Sequence, residues 1–249
     1  MSASDNRTPV SRRDFLKRMA SGSAAAATAA AAPGAALAGE KPKRYAMVID
    51  TRRCIGCQAC SVTCKTENDV PLGETRNWVE YIEKGDFPHV RRSFLPRLCN
   101  HCEKPQCVSV CPTGATYKRK EDGIVVVDSN VCIGCKYCLQ ACPYGMRFIN
   151  YKTGTADKCD FCLHRVENGL VPACVNTCQG RARIFGDLND PESEVSRIVA
   201  TNATTVLRPE MGTEPMVFYI DADHTDERDA AHQGIYVRIE THRRQQKRV

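Results

Sequence analysis

The sequence predicts an α+β protein of short strands and helices, organised as two small cysteine-bound modules with the inner one inserted in the outer. Three observations lead there. Sixteen cysteines in 249 residues fall into four regular runs, several times ordinary usage. Aromatic residues make up only 6% of the chain, and Trp78 is the single tryptophan, so something other than aromatic burial must hold the fold together. Short strand-like stretches lie between the runs, with helix signals confined to a few residues at a time. Collagen, coiled coil, wholesale disorder and a polytopic membrane protein are all excluded. No apolar run reaches the roughly eighteen residues of a membrane span, apart from an alanine-rich stretch near the start.

Charge has to be read in two parts. Lys+Arg 35 against Asp+Glu 29 gives a formal +6. Residues 1–38 hold Arg7, Arg12, Arg13, Lys17 and Arg18 against Asp5 and Asp14, which is +3 of that total. The remaining +3 is too little for the basic footprint of a nucleic-acid binder. Arg52-Arg53, Lys118-Arg119-Lys120 and the terminal HRRQQKR read as solvated surface. Segment 1–38 itself reads as an address. SRRDFLK at 11–17 precedes a weakly apolar alanine stretch, Pro33 and then Ala36-Leu37-Ala38. That is a charged region, a short apolar region and a small-x-small end. Paired arginines in S-R-R-x-F-L-K resemble the twin-arginine signal of bacteria. Cleavage is expected after Ala38, leaving a chain that begins at Gly39 in the periplasm and has no transmembrane helix of its own.

The cysteine runs carry the chemistry. Cys54, Cys57, Cys60 and Cys64 are spaced C-x2-C-x2-C-x3-C. Cys99, Cys102, Cys107 and Cys111 widen the middle gap to four residues. Cys132, Cys135, Cys138 and Cys142 repeat the first spacing, and Cys159, Cys162, Cys174 and Cys178 stretch the middle gap to eleven. In the first and third runs, three thiolates within seven residues can wrap three corners of one cuboidal cluster. The fourth thiolate lies across a helical turn and points elsewhere; in two-cluster ferredoxins it ligates the other cluster. At four thiolates per [4Fe–4S] cluster the count closes at four clusters with no cysteine left over. Structural zinc typically uses two separated C-x2-C knuckles, a disulfide framework has no need of seven-residue triplets, and c-type haem needs Cys-x-x-Cys-His, which is absent.

The runs also suggest how the modules nest. The second and third both end in Cys-Pro (Cys111-Pro112, Cys142-Pro143), whereas Cys64 precedes Lys65 and Cys178 precedes Gln179. Matching ends favour pairing second with third and first with fourth; sequential pairing is the rival on the residues alone. The expected organisation is therefore α+β with two ferredoxin-like modules, each binding two [4Fe–4S] clusters. The outer module takes 39–98 and 150–189, the inner takes 99–149, and 190–249 is a cysteine-free arm lying on a partner.

Between the runs, strands are expected at 45–50 and 94–98. A hairpin at 115–118 and 124–128 turns at Glu121-Asp122-Gly123, and further strands follow at 182–185 and 216–220. Helices should start in each x3-C segment, and another at 192–200, opened by Asp190-Pro191. The elements are short because clusters nucleate the core, as structural metals do in small domains. His101, between Cys99 and Cys102, and His164, after Cys162, can be sulfur hydrogen-bond donors, quinone-site residues or plain packing residues, packing being the simplest. Trp78 and Tyr81 sit in the long insertion after the first run and read as local packing. No glycine-rich phosphate loop, Ser/His/Asp set or H-E-x-x-H motif is present, so no substrate site is expected.

Several stretches resemble the four-cluster iron–sulfur subunits of molybdopterin oxidoreductases of the dimethyl sulfoxide/polysulfide reductase type, most of all the tetrathionate reductase branch. They are RYAMVIDTRRCIGCQAC, LPRLCNHCEKPQCVSVCP, EDGIVVVD, ACPYGMRFINYKTGTADKC and GLVPACVNTCQGRARIFGD, spread over roughly 44–187. The resemblance implies nested pairing with definite ligand sets. One cluster takes Cys54, Cys57, Cys60 and Cys178, and its module partner takes Cys64, Cys159, Cys162 and Cys174. The inner module uses Cys99, Cys102, Cys107 and Cys142, and then Cys111, Cys132, Cys135 and Cys138. Relatives that replace one cysteine carry a three-iron cluster; all sixteen are kept here, so none is expected. It further implies an electron wire between a molybdopterin catalytic subunit and a polytopic quinol-oxidising membrane subunit. The rivals are the equivalent subunit of a sulfite-reduction-associated, polysulfide, thiosulfate or arsenate complex, a free soluble polyferredoxin, and a zinc-dependent binding module.

Overall fold

The computed structural model describes residues 42–222 and the strand Ile235–Val237. Segment 1–38, expected as an export signal, and the terminal HRRQQKR lie outside the described residues. Chain order begins with β1 (Tyr45–Asp50), almost wholly buried. Its alternation serves two cores: Met47 and Ile49 face the main one, Ala46 and Val48 a smaller one. A strand buried on both faces needs apolar residues at every position, and Ala-Met-Val-Ile supplies them. β1 becomes the inner strand of a four-stranded sheet. β8 (Arg183–Asp187) pairs with it antiparallel on one side. On the other side β10 (Val217–Ile220) runs parallel to it, with β9 (Thr204–Thr205) at the edge.

Residues 190–222, expected as part of a partner-docking arm at 190–249, fold onto the chain's own sheet. α6 (Glu194–Thr201) packs on β1 and β8 through the fully buried Val195, and β10 inserts beside β1. Met216, Val217, Tyr219 and Ile220 are buried in the chain's own two cores. The physical reason is apolar area. Burying a side chain of this size stabilises by about 1.5–3 kcal/mol, and β1 would otherwise present an unpaired edge.

The expected strand at 94–98 is the end of a longer one. β2 (Asn77–Lys84) and β3 (Arg91–Leu98) form an antiparallel hairpin in register from Asn77↔Leu98 to Lys84↔Arg91, and Ile235–Val237 adds a third strand beside β2. The sequence hid β2 because Asn77 and Glu80 are buried polar residues, which breaks the period-2 apolar pattern a strand is recognised by. The predicted hairpin appears as β4 (Thr116–Lys118) and β5 (Val125–Val127). A further small hairpin, β6 (Phe148–Asn150) with β7 (Thr155–Asp157), links the third and fourth runs. Strands of only three residues leave no periodic signal in the sequence.

Each x3-C segment is helical, as expected: α1 (Ala59–Glu67), α2 (Gln106–Ser109), α3 (Tyr137–Gln140) and α5 (Ala173–Asn176). An unexpected turn of helix, α4 (Leu163–Val166), follows Cys162. The basic trio 118–120 is not all free surface, since Lys118 pairs with Glu103 and Arg119 with Asp122 and Glu167. Among the described residues no helix is long and apolar enough to cross a membrane.

Candidate metal centres

The first and third runs use the same backbone device. Gly56 and Gln58 are left-handed at φ 62–69°, and Gly134 and Lys136 repeat this at φ 67–69°. Two left-handed residues flanking the second cysteine curl the loop before α1 or α3 begins. Glycine is required at the first of them. A Cβ on Gly134 would sit 2.5 Å from the Gly154 carbonyl oxygen, and one on Gly56 would sit 2.4 Å from the Phe94 ring. Gly134→Ala should therefore lower iron content and shorten the half-life of the folded holoprotein. Gly114→Ala is the control: it has the same positive φ but open space around its Cβ, so it should cost only about 1 kcal/mol of backbone strain. Equal effects on iron content would contradict this account.

All sixteen thiols are free, and only Cys57 and Cys135 are exposed. The tertiary fold brings the runs together in pairs. α1 packs on α5 and α2 packs on α3, joining first to fourth and second to third. Cys54 lies among Cys60 and Cys178. Cys64 lies among Cys162 and Cys174, and Cys159 joins that group. Cys102 lies among Cys99, Cys107 and Cys142. In the remaining set, Cys138 faces Arg147. Cys132 Sγ accepts from the Ala156 amide at 3.4 Å, and Cys111 Sγ accepts from the Thr116 amide at the same distance.

Electrostatics tests whether an iron–sulfur group fits. Burial pushes the Cys64 and Cys102 thiols up to about 12 and Cys174 to about 11, with neighbouring thiols adding to the rise at Cys64 and Cys102. Burial also acts on Cys111, but hydrogen bonds from Thr116 and Thr113 outweigh it and hold that thiol below its ordinary value. Thiols alone would leave two buried cations facing neutral sulfur. Arg183 and Arg147 are buried, and among the described residues neither has a carboxylate partner. Arg183 Nη2 reaches Cys60 Sγ at 3.5 Å, and Arg147 Nη2 reaches Cys107 Sγ at 3.0 Å. Unpaired buried charge is strongly destabilising, and an anionic metal centre held at these sulfurs would supply the missing counter-charge. The soft all-thiolate donor set leaves zinc and iron–sulfur as the candidates. Structural zinc typically uses two separated C-x2-C knuckles, whereas the first and third runs here are triplets followed by x3-C, the spacing of two-cluster ferredoxins. The residues fit [4Fe–4S] clusters.

Further donors aim at sulfur. Backbone amides of Phe161 and Ala182 reach Cys159 and Cys178 at 3.4 and 3.3 Å, and Asn68 Nδ2 reaches Cys64 and Cys162 at 3.6 and 3.7 Å. His101 makes no bond to sulfur. It stacks on Phe161 at 3.7 Å between centroids, and its Nδ1 accepts from the Val125 amide. Burial, reinforced by nearby Lys158 and Arg147, holds it well below the usual histidine range and so neutral. His101 and Phe161 occupy the same third position of Cys-x-x-Cys loops in the second and fourth runs, so those two loops meet ring to ring. His164 is half-exposed and bonded to Glu67 at 2.9 Å. Trp78 bonds to Glu80 and Tyr81 to the Gly56 carbonyl, both packing roles. Sequence reasoning passed over Arg147, Arg183, Lys158 and Asn68. One signal was available: Arg147 and Arg183 each stand five residues after the last cysteine of their run.

A 4Fe-4S dicluster domain model matches residues 90–188. The chain is 54% identical over 189 residues to the B subunit of tetrathionate reductase from Salmonella typhimurium, covering 74% of this chain and 75% of that one. It is 45% identical over 209 residues to a putative dimethyl sulfoxide reductase iron-sulfur subunit of Halobacterium salinarum, covering 72% and 79%. It is 38% identical over 227 residues to the arsenate respiratory reductase iron-sulfur subunit ArrB of a Shewanella strain, covering 71% and 96%.

Proposed function

Because this chain belongs to the family of iron–sulfur subunits of reductase complexes, and is thus an electron-transfer subunit with multiple [4Fe–4S] clusters, we propose that it is a four-cluster periplasmic relay. It carries electrons between a polytopic quinol-oxidising membrane subunit and a molybdopterin catalytic subunit. The complex is a tetrathionate or related sulfur-compound reductase. The outer module, 39–98 with 150–189, holds one cluster on Cys54, Cys57, Cys60 and Cys178 and another on Cys64, Cys159, Cys162 and Cys174. The inner module, 99–149, holds the third on Cys99, Cys102, Cys107 and Cys142 and the fourth on Cys111, Cys132, Cys135 and Cys138. The chain has no substrate site of its own, and the catalytic subunit selects the substrate. Export by the twin-arginine route delivers it already folded.

One observation carries the relay: the two exposed thiols, Cys57 and Cys135, belong to different modules. A [4Fe–4S] cluster, when bound, takes up and releases one electron. The chain's own residues keep the middle of the path dry and open its two ends. Leu98, His101, Phe161 and Val125 are buried, and His101 joins the second run to the fourth by stacking on Phe161. Ile55 and Ile133, each two residues before an exposed cysteine, are 63% and 67% exposed and offer apolar contact where partners would dock.

Anaerobic capture of the chain from its native membrane through a carboxy-terminal tag tests this. Recovery of a molybdenum-containing subunit and a polytopic membrane subunit, with about sixteen irons per chain, is expected. Recovery of the iron-loaded chain alone would make it a free carrier, and zinc in place of iron would overturn the reading.

A further inference from the structure

Two arginines occupy matching places in the two halves of the fold. Arg183 opens β8 five residues after Cys178, and Arg147 precedes β6 five residues after Cys142. Both are buried, at 3% and 7% exposure. The Arg183 fork is divided between runs: Nη2 lies 3.5 Å from Cys60 Sγ, Nη1 lies 3.9 Å from Cys174 Sγ, and Asn77 Oδ1 steadies Nη2 at 3.5 Å. Cys60 and Cys174 belong to the two different clusters proposed for the outer module. Arg147 does the same in the inner module. Its Nη2 lies 3.0 Å from Cys107 Sγ, its Nη1 bonds to Thr116 Oγ1 at 3.2 Å, and Cys138 is within side-chain hydrogen-bonding reach. Cys107 and Cys138 again belong to different clusters.

We infer that Arg183 and Arg147 are potential-setting bridges, one per module, each sharing a guanidinium between ligands of its module's two clusters. The inference rests on the ligand sets proposed above. Cluster potentials depend on net charge and on hydrogen bonds to the sulfurs. A fixed cation at the ligands stabilises the more negative, reduced state and raises the potential. Because one guanidinium touches both ligand sets, its charge acts on both clusters together and raises their potentials in parallel. Arginine suits the position because its planar fork addresses two acceptors and stays charged when buried. The positioning is tertiary: Cys60 is 123 residues from Arg183 and Cys107 is 40 from Arg147.

The test is an anaerobic potentiometric titration of the intact complex, followed by electron paramagnetic resonance, with iron analysis of each sample. Arg183→Gln should move two of the four couples to lower potential, and Arg147→Gln the other two. The lysine variants, which keep the charge and lose the fork, should retain most of the native potentials. Full iron content with unmoved potentials would overturn the inference, as would a shift of one couple alone or of all four equally. If a glutamine variant loses iron, its lysine counterpart should restore it with near-native potentials; loss there too would make the residue purely structural and defeat the proposal. Fewer than four couples in the unaltered protein would instead defeat the four-cluster reading, so the two failures are distinguishable.

Discussion

Removing the iron from the intact chain is expected to abolish its cooperative unfolding transition, not merely its colour. The main core is built around sulfur: Cys60, Cys99, Cys159 and Cys174 are buried members of it, with Cys54, Cys102 and Cys142 packed against it. The surrounding elements cannot stand alone. Four helices have four residues each, and two hairpins have strands of three, well below the length at which isolated helices or hairpins persist in water. The loops add strain at Gln58, Lys136, Phe161 and Cys162, all left-handed without being glycine, at about 1–3 kcal/mol each. Arg147 and Arg183 would then be buried against neutral thiols, a penalty of about 3–5 kcal/mol for each broken charge pairing. Circular dichroism and a thermal scan before and after anaerobic chelation would check this. An apoprotein with native secondary structure and melting temperature would show that apolar burial suffices.

Glu80→Ala should be the most damaging substitution away from the cysteines. Glu80 lies in β2 at a position where a strand pattern calls for an apolar residue, and is 4% exposed. It accepts from Arg97 Nη1 at 2.7 Å and from Trp78 Nε1 at 3.3 Å, while Arg97 Nη2 bonds to the Tyr144 carbonyl at 3.2 Å. The pair thus ties the β2–β3 hairpin to the end of the third run. Removing the carboxylate strands a buried guanidinium, at about 3–5 kcal/mol. Unfolding is coupled to cluster loss, so the useful measure is the lifetime of the iron–sulfur absorbance in guanidinium. If the whole loss falls on the unfolding barrier, that lifetime shortens by about two to four orders of magnitude. Glu83→Ala, in the same strand, breaks a pair whose arginine, Arg92, is 60% exposed, and should change it by less than about tenfold. Similar lifetimes for the two variants would mean that the buried pair is not a keystone of the hairpin.

The cysteine chemistry was legible because it is local. Spacing along the chain decides which thiols share a loop and which fall a helical turn away, and helices do occupy all four x3-C segments. β1, the β4–β5 hairpin and β10 were legible from short apolar runs and turn residues. β2 was not, because its burial is partly polar: a strand carrying Asn77 and Glu80 inward looks like a loop until Arg97 is found opposite. The fate of 190–222 was hidden for a related reason. A cysteine-free stretch says nothing about metal, but β1 has two edges and two faces to cover: β8 and β10 take the edges, α6 covers the Ala46–Val48 face and the main core covers the other.

By itself, then, the sequence determined the donor atoms, their grouping into runs and the loop-then-helix form of each run, all consequences of bonding and backbone geometry within some twenty residues. Tertiary structure alone decided that His101 stacks on Phe161 and not on sulfur, and that Arg147 and Arg183 reach thiols far away in sequence. The physical reason is that a buried charge or ring finds its partner only once distant segments have packed and water has left.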